Sequence, residues 1–248
     1  MCTVIYIPAG KKKYFASLRD ENPARPQALV PQIYPAGEIS YLCPADALAG
    51  GSWIGVNTIC KSIVLLNGGF ENHLKKSVYR QSRGAIVIAL LRSEEPLIDW
   101  SLLDLNEIEP FTLILLDNEK LFELVWTGDQ KRRRKMDATC AHIWSSSTLY
   151  DAEAKRIREA LFRNWLINNP KITKFSLFNF FTVSSDQCNG FIINRNETIK
   201  TLSYTFLEIS NKSQATMNYY DMQSMSYTGK TIKFLKATSA TTCPLSKN

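Results

Sequence analysis

Apolar and polar positions alternate in short runs through much of the first half of the chain, and turn residues break the runs. "TVIYI" (Thr3 to Ile7) and "YFASL" (Tyr14 to Leu18) are rich in β-branched and aromatic residues, and "PAGKKK" between them reads as a hairpin turn. The next stretch, "RDENPARPQALVPQIYP", contains Pro23, Pro26, Pro31 and Pro35. Each proline removes a backbone donor, so no regular element is expected there. "SWIGV" and "SIVLLN" predict a second hairpin around Asn57, and "FTLILLDN" with "KLFELVWTG" a third around Asp117 and Asn118. "CAHIWSSS" reads as a further short strand.

Helical spacing predicts two substantial helices. One covers Tyr79 to Glu95, with Val87, Leu90 and Leu91 on one side and Pro96 after its end. In the other, Ala154, Ile157, Leu161 and Trp165 recur at helical spacing, with Ser147 or Thr148 as cap and Pro170 closing it. A Phe-rich stretch then leads to "GFIIN", "TIKTLSYTFLEIS" and "ATMNYYDM", a late run of antiparallel strands. No linker or repeat divides these parts, so one α+β domain over residues 1–248 is expected.

Composition narrows the partners. With 30 basic and 23 acidic residues the formal charge is +7, which favours anions without naming one. "KRRRK", Lys131 to Lys135, lies between Asp129 and Asp137 with only Met136 as an apolar neighbour. It reads as a solvated loop or strand end, and no nucleic-acid partner is expected. The six cysteines include no C-x-x-C pair and there are only two histidines, so neither a metal nor a cofactor is expected. The N-terminus lacks the layout of a signal peptide, and "GAIVIALL" is too short for a membrane span. A cytoplasmic protein with reduced thiols is the expectation, with the sequons at Asn196 and Asn211 unglycosylated.

Cys2 raises the chemical question. Its small side chain leads us to expect removal of Met1, which would put a thiol and a free α-amine on one residue. The two groups titrate at roughly 8.5 and roughly 7.7–8.0, so the amine can take the thiol proton directly or through one water. The alternative is a small apolar residue opening a buried strand. A nucleophile of this kind needs a nearby cation, a group that orients the amine, and an oxyanion donor. Hairpin geometry can return Arg19 and Asp20 to the terminus, although a salt-bridged loop also accounts for "RDE". Asn67 stands where a strand gives way to Gly68 and Gly69, and can aim its N–H into a cleft or serve as an ordinary turn residue.

"MCTV", "RDENPARP", "AGGSWIGVN", "LLNGGF", "YRQSRG" and "HIWSSSTLYD", in that order, resemble the NRDE family, the transport and Golgi organisation protein 2 type. The resemblance is strongest over residues 1–84 and 142–151. It implies a four-layer αββα sandwich of the N-terminal-nucleophile hydrolase type, with mostly antiparallel sheets, similar to bile-salt and penicillin V acylases. It also implies that Cys2 is the nucleophile, Arg19 its neighbouring cation, Asn67 the oxyanion donor, Asp20 the partner of the amine and Ser145 a further contact to that amine. Leu18 stands where the family's signature asparagine precedes the arginine, and Asn22 where the acylases carry a carboxylate.

Two functions follow from the resemblance. One is a cysteine hydrolase that cleaves a linear amide. The other is a non-catalytic carrier of haem or an acyl lipid, whose cleft would be lined by Trp53, Phe70 and Trp144. Convergence of Cys2, Arg19 and Asn67 on one cleft is the geometric expectation, with the strand after Cys2 central in its sheet.

Overall fold

The computed structural model describes residues 3–184, 186–210 and 213–235. Strands β1 (Thr3–Ala9) and β2 (Lys12–Glu21) form the first hairpin, turning at Gly10 and Lys11. Strand β2 outlasts its apolar run, so the "RDE" triplet lies within a strand rather than after one. The proline-rich stretch is also partly regular, because β3 (Leu29–Ala36) contains Pro31 and Pro35. A sheet edge tolerates the missing donors, and β3 is an edge strand.

Strands β4 (Ile39–Ala45), β5 (Ile54–Asn57) and β6 (Lys61–Asn67) follow. Helix α1 (Arg83–Leu91) is shorter than expected because Ser82 caps it, accepting from the Gly84 N–H. Pro96 opens helix α2 (Pro96–Leu102) as well as following α1; its ring suits a first helical turn. Strands β7 (Phe111–Asp117) and β8 (Lys120–Trp126) form the third hairpin, and the basic run becomes edge strand β9 (Lys131–Met136). Strand β10 (His142–Ser145) precedes helix α3 (Ala152–Asn168), which Asp151 caps in place of Ser147 or Thr148. The Phe-rich stretch contains an unforeseen helix, α4 (Lys174–Phe181), started by a capping box between Thr173 and Ser176. Strands β11 (Asn194–Arg195), β12 (Ile199–Ser210), β13 (Gln214–Asp221) and β14 (Ser226–Lys233) complete the described elements.

Two antiparallel sheets result. The first runs β10-β1-β2-β12-β13-β14 with β11 on β12, and the second runs β3 to β9 in chain order. Strand β1 is interior, between β10 and β2, although β2 and β12 hold the middle. Period-two alternation divides the first sheet's contacts. Val4, Tyr6 and Phe15 join the core shared with the second sheet. Ile5, Ile7, Tyr14, Ala16 and Leu18 pack instead with Phe162 of α3 and Leu177, Phe180 and Phe181 of α4. Helix α1 packs on β5 and β6 with α2 beside it, so the layers run helix, sheet, sheet, helix.

The buried stripe of α3 differs from the expected one. Ala154, Arg158 and Phe162 are buried at i, i+4 and i+8, while Ile157 is exposed. Two sequence motifs meet at Gly51 and Gly84, where the Ser52 N–H donates to the Gly84 carbonyl at 3.1 Å. A Cβ on Gly51 would lie 2.5 Å from the Gly84 carbonyl carbon, so neither backbone can admit a side chain there. No helix among the described residues is long and apolar enough to cross a membrane.

Candidate active site

Thr3, the first described residue, pairs with Leu18 on one side and Ser145 on the other. Cys2 lies outside the described residues. The other four expected site residues surround this end of β1.

Arg19 shares the β2 face of Phe15, toward the second sheet. Its guanidinium stacks 4.9 Å from the Trp53 ring and donates to Asp46 at 2.9 Å. Arg25 grips the same carboxylate with two bonds, at 2.7 and 2.9 Å, and the N–H of Ala49 adds a third donor residue at 2.8 Å. Burial alone would raise the Asp46 pKa. The Arg25 and Ala49 hydrogen bonds and the charges of both arginines outweigh it and hold the carboxyl at about 2, against an ordinary 3.8. A depressed carboxylate stabilises the fold above its unfolded pKa and loses that contribution as pH falls. Asp46→Asn is therefore expected to cost about 2 kcal/mol near pH 7, and the difference should vanish as pH drops from about 4 to 2. Urea unfolding of both proteins across that range measures it.

Asp20 points to the opposite, helix-facing side. It is buried and accepts from Thr201 Oγ1 at 2.6 Å and from the Tyr150 hydroxyl at 3.4 Å. Ser145 Oγ accepts from Arg158 Nε at 2.9 Å. Arg158 is 1 % exposed and also donates to Thr3 Oγ1 and to the carbonyls of Asn189 and Gly190. Its guanidinium lies between the rings of Tyr150 and Phe191, at 4.1 and 4.3 Å. This buried cation ties the start of β1 to β10 and to the loop before β11. Arg158, Tyr150, Thr201 and Asp46 were not recognised from the sequence; a charged residue in step with Ala154 and Phe162 was the one available signal for Arg158.

Asn67 ends β6 as expected. Its carbonyl accepts from Ser146 Oγ at 2.8 Å, and among the described residues its side-chain amide has no hydrogen-bond partner. Gly68 has φ +82°, and a Cβ there would lie 2.2 Å from Ser147 Oγ, so glycine is required at this turn. Asn67 borders three adjoining clefts: one with Arg19, one of about 540 Å³ with Asp20, and one with Ser145. In the 540 Å³ cleft Arg83 pairs with Glu109 at 3.1 Å, beside Lys75 and Tyr79. Trp53, Phe70 and Trp144 do not share a cleft. Trp53 lines the one with Arg19, while Phe70 and Trp144 line the one with Ser145.

A protein-family model described as Transport and Golgi organisation 2 matches residues 1–174. No curated protein matches the chain at a significant level. Among solved structures, conjugated bile acid hydrolase from Clostridium perfringens superposes with a TM-score of 0.57 at 12% identity, covering 95% of this chain and 98% of the other. An N-acylethanolamine-hydrolyzing acid amidase orthologue from Caenorhabditis elegans gives 0.55 at 11% identity, covering 83% and 92%. The architecture is thus the αββα sandwich of the N-terminal-nucleophile hydrolases.

Proposed function

The chain belongs to the Transport and Golgi organisation 2 family, and on that premise we propose that it is an N-terminal cysteine hydrolase acting on a linear amide. One observation carries the reading: Arg19 and Asp20 of β2, Asn67 of β6 and Ser145 of β10 come from three strands to the end of β1 that Cys2 leads into. The two neighbours, by their names, hydrolyse a conjugated bile acid and N-acylethanolamines.

The proposed chemistry begins with removal of Met1. The α-amine of Cys2 accepts the thiol proton, and the sulfur attacks the amide carbonyl carbon. The carbonyl π electrons move onto oxygen, where the Asn67 N–H donates to the oxyanion. Collapse breaks the C–N bond, and the α-ammonium returns the proton to the departing nitrogen. Water then cleaves the thioester, with the amine again taking and returning a proton. Asp20 and Ser145 orient the amine, and Arg19, fixed by Asp46 and Trp53, supplies the positive field.

The carrier reading draws less support, because Asp20, Glu21, Arg25, Lys75, Arg83 and Glu109 give the 540 Å³ cleft a charged lining. Haem or an acyl chain would need a mainly apolar one. We further propose a single domain working in the cytoplasm, where Cys43, Cys140 and Cys188 stay reduced.

Asn67→Ala tests the assignment with chromogenic N-acyl anilides. We expect kcat/KM to fall about 100- to 1000-fold, mostly through kcat. An unchanged kcat would remove Asn67 from the oxyanion role.

A further inference from the structure

A second cavity lies on the far side of the first sheet and shares no lining residue with the clefts around Asn67. Helices α3 and α4 pack over β1, β2 and β12, while the outward faces of β13 and β14 stay partly open. Between the start of α4 and those open strands is a pocket of about 370 Å³. Five of its seven lining residues are aromatic: Phe175, Phe178, Tyr204, Tyr220 and Tyr227, with Lys174 and Asn218 as the others. Phe175 and Tyr227 are exposed at 69% and 55%, an unusual outlay of aromatic surface for a site that binds nothing. All seven residues fall at or beyond the end of the segment matched by the family model.

The charge of the pocket is equally specific. The Lys174 ammonium sits 4.7 Å from the Tyr227 ring centroid and 5.2 Å from that of Phe175. Its hydrogen bonds go to Asn218 Oδ1 at 3.2 Å and the Tyr227 hydroxyl at 2.8 Å, both neutral acceptors. Among the described residues no carboxylate pairs with it, and the first turn of α4 carries no acidic residue. A lysine at a helix N-terminus adds to the positive end of the helix dipole, where an anion is favoured. An uncompensated cation at the rim of an aromatic box calls for a ligand with one negative charge and a flat apolar body.

From this geometry we infer that the pocket binds planar aromatic monoanions, with the ring system among Phe175, Phe178 and Tyr220 and the acid group on Lys174. The test is calorimetric titration of the full-length protein with 2-naphthoate, its neutral analogue 2-naphthalenemethanol, and octanoate. 2-Naphthoate should bind more tightly than either comparator. Lys174→Met should weaken 2-naphthoate about tenfold, the usual loss for one charge-assisted contact, and leave the alcohol unchanged. Phe175→Ala, at an exposed position, should weaken both aromatic compounds, and Asn67→Ala neither. Failure of 2-naphthoate to bind at millimolar concentration would overturn the inference, as would an unchanged affinity in Lys174→Met or a loss in Asn67→Ala. Tighter binding of octanoate would replace the planar ligand with an acyl chain.

Discussion

Replacing Cys2 with alanine is expected to lower amide hydrolysis by about ten-thousandfold or more, the scale on which removing a nucleophile acts. The variant should unfold at the same denaturant concentration as the parent, because the substitution removes a single sulfur. Covalent capture by β-lactam and activated-amide probes should disappear with the activity. The expectation is this sharp because the proposed nucleophile and its base share one residue, and neither His73 nor His142 is needed as a substitute base. His73 contacts Glu109, and His142 contacts the Asp137 carbonyl. Retained hydrolysis in the alanine variant would move the chemistry to another group.

Arg158→Leu should produce the largest loss of stability, about 3–5 kcal/mol, read as a shift in the urea midpoint. The substitution leaves the buried Gly190 carbonyl and Thr3 hydroxyl without this donor, together with the Ser145 hydroxyl and the Asn189 carbonyl, whose bonds to Arg158 are partly buried. It also removes the cation held between Tyr150 and Phe191. Arg158→Lys should recover only part of the loss, because an ammonium cannot span the same fork of acceptors. Activity should fall further than stability alone explains, since Thr3 and Ser145 fix where β1 begins. A loss below about 1 kcal/mol would mean that water replaces the guanidinium at little cost.

The hairpins were legible because alternation survives wherever one strand face meets the other sheet, as at Val4, Tyr6 and Phe15. Asn67 was legible for a local reason: an apolar strand ending in Asn-Gly-Gly announces its own turn. Helix α4 was not, because its run of phenylalanines carries no strong helical preference. It is stabilised by packing of Leu177, Phe180 and Phe181 on the sheet. Strand β3 escaped because proline counts against a strand until its place at the sheet edge is known. Asp46 is 27 residues from Arg19, and nothing local marks it as the carboxylate that holds that arginine. Asp20 and Arg19 are neighbours in the sequence, yet strand alternation sends them to opposite faces of the sheet, Arg19 to Trp53 and Asp20 to Thr201. Their roles can therefore differ more than adjacency suggested.

The mature protein is expected to present Cys2 as its first residue and its nucleophile. Intact mass and N-terminal peptide mapping, before and after one equivalent of an activated-amide probe, test it most directly. The expected result is the mass of the chain without Met1, gaining one acyl group that maps to Cys2 while the exposed Cys140 and Cys188 remain unmodified. Retention of Met1, or an adduct carried by Cys140 or Cys188 instead, would contradict it.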